Sequence, residues 1–474
     1  MRARPPRRGL LRMICAAGVL GAAVLLPGPF AGAVPQPAID PGALGAAQAI
    51  SGRPAPLEPT EQRAVCAEPL LTGAPPSEPP MAQQVLDLPA AWQFSRGAGQ
   101  KVAVIDTGVN RHPRLPRLQP GGDYVSDTDG TVDCDGHGTL VAGIIGAQPV
   151  PGDAFAGVAP DAEILAIRQL SLAYEKKDNN NRDAPGKIGT EGYGSVLTLA
   201  GAVVRAVDMG ATVINISEVA CTRAGLDTAD SALGAAVKHA YDRNVVVVAA
   251  AGNLQSDGAC DTQNSGAGWG SVATVASPAW FSPYVLAVGS VDAGGQVSEL
   301  SLNGPWVQVA AIGRNIVSLD SKPGGTGLVD GVQTTEGIRS VEGTSFAAPY
   351  VAGLAALVRS RFPELTAPQV MDRITRTAHG PGTGRDDRIG HGLIDPLAAL
   401  TAELPVEPVS AGAAVAAPIA APVHPPGPDV RQRWIAITGS AICLTGLAIG
   451  AAVAYPFRRP RREPDLESGL EPDP

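Results

Sequence analysis

From about residue 85 to residue 400, short apolar runs alternate with longer amphipathic ones. Val102 to Ile105 is apolar at every position, so 101–105 reads as a strand buried on both faces. Glu163–Arg168 and the runs 213–217, 245–250 and 284–288 read the same way. Between them, 195–209 and 231–243 carry helical spacing, the first stopped by Gly210. Thr366 is placed to cap a further helix, with Pro368 near its start. Strands alternating with helices predict an α/β fold, with a mainly parallel central sheet and helices on both faces.

The flanks follow other patterns. Residues 34–84 are rich in Pro and Ala with little periodicity, and read as an extended N-terminal arm leading into a domain over 85–404. The polar stretch 175–194, around Asp178-Asn-Asn-Asn-Arg-Asp183, reads as a surface loop. The Pro/Ala/Val-rich segment 405–433 reads as a semi-rigid stalk.

Both ends carry membrane-directed signals. Arg2, Arg4, Arg7 and Arg8 precede a run from Leu10 to Leu26 that is apolar apart from Arg12, and Ala31-Gly32-Ala33 offers a cleavage site. Residues 1–33 are therefore expected to be a removed signal peptide. From Trp434 to Tyr455 no charge occurs, and at 1.5 Å per residue this run crosses a bilayer core of about 30 Å. Arg458, Arg459, Arg461 and Arg462 follow it, against Arg431 and Arg433 before it. That bias puts the tail 456–474 in the cytoplasm and everything between the two segments on the outer face.

Composition narrows the function. The formal net charge of -9 leaves no basic surface for nucleic acid. Four cysteines lie in the exported part: Cys66, Cys134, Cys221 and Cys260. They permit three pairings, of which sequence order favours 66–134 and 221–260. The first of these staples the arm to the domain and adds roughly 4 kcal/mol in the chain-entropy model. Asp127-Thr-Asp-Gly130 with Asp133 does not match a calcium loop and reads as a solvated acidic turn. No metal or other cofactor is expected.

Serine-catalysed amide hydrolysis needs a hydroxyl, a base for it, a carboxylate to orient the base and donors for the oxyanion. Asp106 ends an apolar strand and is followed by Thr107-Gly108. His137 sits between glycines in Asp135-Gly-His-Gly-Thr-Leu-Val-Ala-Gly143 and opens a helix. Ser345 begins a long helical run in Glu342-Gly-Thr-Ser-Phe-Ala-Ala-Pro-Tyr-Val-Ala-Gly353, where free N–H groups favour an anion. Pro349 is read as falling in the first turn of that helix. Asn253, after Val245 to Gly252, offers an amide to the oxyanion. Singly, each has a bland reading as a turn residue, a structural histidine or a helix cap.

Together they appear in the order Asp, His, Ser that the subtilisin arrangement uses. Val102-Ala-Val-Ile-Asp-Thr-Gly108, Gly136-His-Gly-Thr-Leu-Val-Ala-Gly143, Ala250-Ala-Gly-Asn253 and Gly343-Thr-Ser-Phe-Ala-Ala-Pro349 resemble the subtilase family closely. The resemblance implies Asp106 as orienter, His137 as general base, Ser345 as nucleophile and Asn253 as oxyanion donor. It also implies that Ile214-Asn-Ile-Ser217 is the strand along which substrate binds, with Ser217 in the substrate site. Two positions depart from the family: Leu140 replaces a frequent second His, and Glu218-Val219 replaces small residues in the substrate wall.

The arm, Ile214-Asn-Ile-Ser-Glu-Val-Ala-Cys221, the stalk and the single C-terminal helix resemble the mycosins, membrane-anchored subtilases of type VII secretion systems. That likeness implies an endopeptidase acting on exported protein or peptide substrates beside a secretion channel, with a second, structural role in the membrane complex.

Overall fold

The computed structural model describes residues 34–177, 192–255, 259–334, 337–382, 384–404 and residue 445. The described residues up to Leu404 form one compact unit. Segments 1–33, 405–433 and 456–474 lie outside the described residues, as does 434–455 apart from residue 445. Among the described residues, no helix is long and apolar enough to cross a membrane.

A seven-stranded sheet with only parallel neighbours runs through the unit. Its order is Val307–Ile312, Leu286–Val291, Val246–Ala250, Val213–Ile216, Lys101–Asp106, Glu163–Arg168 and Leu118–Asp123. Side chains alternate between its faces. Val102, Val104, Val246 and Val248 pack with the helices His137–Gly146 and Thr344–Arg361. Ala103, Ile105, Val247 and Ala249 pack with Val196–Asp208 and Ser231–Asp242.

Every predicted strand lies in this sheet. The run expected at 284–288 forms Leu286–Val291 instead, because Tyr284 is still in a turn with its N–H on the Phe281 carbonyl. One edge strand, Val307–Ile312, is an apolar run broken only by Gln308, whereas the other carries no clear sequence signal. Leu118–Asp123 contains Pro120, Gly121 and Gly122, with a register irregularity between Pro120 and Gly122. Proline is tolerated at such an edge.

The arm is more structured than its composition predicts. Asp40 accepts from Gly42 N at 2.9 Å and opens a turn that leads into the helix Leu44–Ser51. Ala47 is fully buried, and Ile50 lies so close to Gly201 that a Cβ there would stand 2.7 Å from Ile50 Cγ1. An eight-residue helix is marginal alone, so this one rests on packing against Val196–Asp208. Further along, Thr60–Gln62 pairs with Tyr174–Lys176, which replaces the start of the expected surface loop by a strand. Pro69–Leu70 pairs with Gly331–Thr334.

Candidate active site

From Lys101–Asp106 the chain builds one side of the sheet through Leu118–Asp123 and Glu163–Arg168, then crosses to Val213–Ile216 on the other side. Such a reversal opens a crevice at the carboxyl ends of the two central strands. Asp106 ends one of these strands and Ser217 follows the other.

Asp106 is fully buried, and its Oδ1 lies 2.7 Å from His137 Nδ1. Thr107 N also donates to Oδ1, at 2.8 Å. His137 is the first residue of His137–Gly146, entered through Gly136 at φ 79°. Gly138 allows the close approach: a Cβ there would fall 2.1 Å from the Gly108 carbonyl oxygen and 3.0 Å from Asp106 Oδ1. The His137 ring also packs against Phe346, tilted by 51°, with ring centroids 4.9 Å apart. Burial works to lower the His137 pKa, but the Asp106 charge and hydrogen bond, then Glu218 and Asp133, hold it above the usual histidine range.

Asp133 corrects the solvated-turn reading. It is buried and accepts from Thr107 Oγ1, Gly136 N, Thr139 N and Thr139 Oγ1. These bonds tie the Asp106 strand end to the start of the His137 helix. Burial pushes its carboxyl up to about 6, with the Thr139 and Thr107 donors opposing. Asp127 and Asp129 remain exposed.

Ser345 is the second residue of the buried helix Thr344–Arg361. Asn253 Oδ1 accepts from Thr344 N at 2.8 Å and Thr344 Oγ1 at 3.0 Å, which leaves Nδ2 to turn toward the hydroxyl. A Cβ on Gly343 would stand 3.0 Å from Asn253 Nδ2 and 3.2 Å from Ser345 Oγ, so glycine keeps the space between them open. Pro349 lies beyond the first turn, as the sixth helical residue. A helical carbonyl accepts from the N–H four residues on, and for Ser345 that residue is Pro349, which has none. Ser217 Oγ supplies the missing donor at 2.7 Å and is itself held by Asn215 Nδ2 at 2.9 Å.

Val213–Ile216 has both edges occupied by neighbouring strands, so it cannot pair with substrate along 214–216. Only from Ser217 onward does the chain leave the sheet. His137, Ser217, Glu218, Asn253 and Ser345 line one cleft of about 1000 Å³. Ala64, Val65, Ala67 and Pro69 of the arm line its rim. Cys66 is bonded to Cys134, and Cys221 to Cys260. Thr107, Asp133, Thr344 and Phe346 are supports to which sequence reasoning gives no role in the site. All but Asp133 adjoin a motif residue, which is the signal that points to them.

A buried carboxylate on an imidazole, a hydroxyl at a helix start and a side-chain amide beside it suit acyl transfer to serine. With this fold they define a serine protease of the subtilisin type. The sequence pattern of the subtilase family matches residues 97–392. Mycosin-3 of Mycobacterium tuberculosis is 43% identical over 465 residues, covering 94% of this chain and 98% of that protein. The crystal structure of MycP1 from Mycobacterium smegmatis is 43% identical, with TM-score 0.72, covering 79% of this chain and 97% of that one. A chain in the structure of an intact ESX-5 inner membrane complex is 41% identical, with TM-score 0.73, covering 89% of this chain and 100% of that one. The chain belongs to the subtilase family and, within it, to the mycosins.

Proposed function

We propose that this serine protease cleaves exported proteins at the outer face of the membrane, as a component of a type VII secretion complex. The observation that carries the catalytic reading is the 2.7 Å contact between Asp106 and His137 behind a cleft that also holds Ser345 and Asn253. In this reading Ser345 Oγ attacks the scissile carbonyl while His137 Nε2 takes its proton. The oxyanion accepts from Asn253 Nδ2 and Ser345 N. His137 then returns the proton to the leaving amine, and water, deprotonated by the same imidazole, attacks the acyl carbon; the proton passes from His137 to Ser345 Oγ as the acyl bond breaks. Asp106 keeps Nδ1 protonated throughout. Substrate backbone pairs with the segment that begins at Ser217 and leaves the sheet.

The test is fluorophosphonate labelling of the full chain with mass-spectrometric location of the adduct. The reading expects the adduct on Ser345, and none in His137→Ala. Labelling elsewhere, or undiminished labelling of His137→Ala, rejects the assignment.

The secretion setting rests on the likeness to a chain of the ESX-5 inner membrane complex. A signal peptide over 1–33, an arm over 34–84, a stalk over 405–433, a membrane helix over 434–455 and a cytoplasmic tail over 456–474 complete the reading. It predicts that the chain stays with membranes in alkaline carbonate, and that deleting 434–474 releases it. The same likeness favours a structural role beside proteolysis. Ser345→Ala that restores secretion to a deletion strain, where the empty vector does not, establishes that role.

A further inference from the structure

Beside the Asp106–His137 pair lies an ionisable group that the hydrolytic steps leave unused. Glu218 follows Ser217 where the chain leaves the sheet. Its Oε1 is 3.4 Å from His137 Nδ1, the atom that Asp106 Oδ1 reaches at 2.7 Å. Its side chain is 24% exposed in the cleft wall, and His137 is its only ion-pair partner among the described residues. We propose that Glu218 is a positioning residue that acts through His137: a second carboxylate on Nδ1 that restrains the general base and keeps the resting protease slow.

This role for Glu218 rests on the reading of His137 as the base for Ser345. To accept the serine proton the imidazole must present a free Nε2 lone pair, so it must be neutral. An opposite charge within about 4–6 Å favours the charged form of a titrating group. Here two carboxylates converge on one ring nitrogen. Asp133, before the His137 helix, adds to the field on the ring, while Asp106 and Asp135 act on Glu218. Arg339 and Glu342 are the other charged residues, besides Asp135, that line the cleft. Burial raises the Glu218 pKa, the His137 charge opposes it, and Asp106 and Asp135 raise it further. The carboxyl thus ionises above the usual glutamate range, and once charged it favours the imidazolium, the form of the ring that cannot accept the serine proton. Glutamine at this position keeps the shape and removes the charge.

The test is the pH dependence of fluorophosphonate labelling of Ser345 in the full chain, from about pH 5 to about pH 10, for wild type, Glu218→Gln and Glu218→Leu. We expect both variants to move the rising limb at least about one pH unit toward acid, with labelling about tenfold faster at pH 7. Glu218→Asp, which keeps the charge, retains the wild-type limb or lies between. A limb that coincides in wild type and both neutral variants overturns the proposal and leaves the triad reading standing. Absence of labelling in every folded protein at every pH overturns both. A variant that merely loosens the cleft lowers the plateau without moving the limb, and that result also counts against the proposal.

Discussion

The Ser217 hydroxyl is the donor that lets a proline sit four residues after Ser345, and this makes a sharp stability prediction. Ser217→Ala leaves the Ser345 carbonyl without its 2.7 Å donor and Asn215 Nδ2 without its 2.9 Å acceptor. Ser217 and Asn215 are both buried, so water does not readily replace either bond. A stranded buried polar group costs about 1–3 kcal/mol, which puts the substitution, with two such groups, at about 2–6 kcal/mol. Pro349→Ala restores the helical N–H that the Ser345 carbonyl would otherwise use. Alone it should cost under about 1 kcal/mol, since alanine also frees the unfolded chain. In the double variant the new N–H takes over the carbonyl, so the pair should be more stable than the sum of single effects by at least about 1 kcal/mol. Urea unfolding of the four proteins, followed by tryptophan fluorescence, measures this coupling. Additivity within about 0.5 kcal/mol would refute the argument that Ser217 compensates for Pro349.

Asn253→Ala should lower kcat by about 100- to 1000-fold with little change in KM, since the amide is needed only once charge develops on oxygen; peptide hydrolysis kinetics decide this. Gly138→Ala places a Cβ 2.1 Å from the Gly108 carbonyl oxygen, and should abolish Ser345 labelling and lower the unfolding midpoint, whereas Gly73→Ala, with open space around it, should keep the labelling. Replacing Cys66 and Cys134 together by Ser should lower stability by up to about 4 kcal/mol and expose the arm near Val65 to limited proteolysis. His137 is raised above 6.5 in the fold, so its pairing with Asp106 contributes stability that is full below pH 6.5 and fades as pH rises through the folded value. Wild-type stability should therefore fall from about pH 7 toward about pH 9, and this fall should flatten in His137→Ala, as urea unfolding at each pH will show.

The residues most legible in the sequence are those whose chemistry forces a local pattern. Asp106 and His137 stand out because their approach excludes a Cβ at Gly138, and Ser345 because Gly343 keeps the space toward Asn253 open. Both glycines are visible in the chain itself. The buried strands are legible because burial on both faces demands unbroken apolar runs. The edge strand Leu118–Asp123 escapes this logic, since an edge tolerates Pro120 and two glycines. The helix Leu44–Ser51 escapes it too, because its stability comes from a partner more than a hundred residues on.

What stays hidden is compensation between distant segments. Asp133 looks like one more acid in a polar turn until Thr107 and Thr139 are seen to donate to it. Glu218 looks like a substituted wall residue until its carboxylate is found beside His137. Pro349 is the clearest case. Its position past the first turn costs a hydrogen bond, and the donor that repairs it lies 128 residues away from Ser345. No window of sequence contains both halves of such a pair. A motif can therefore name the reacting groups, while the bonds that hold them in register emerge only from the folded chain.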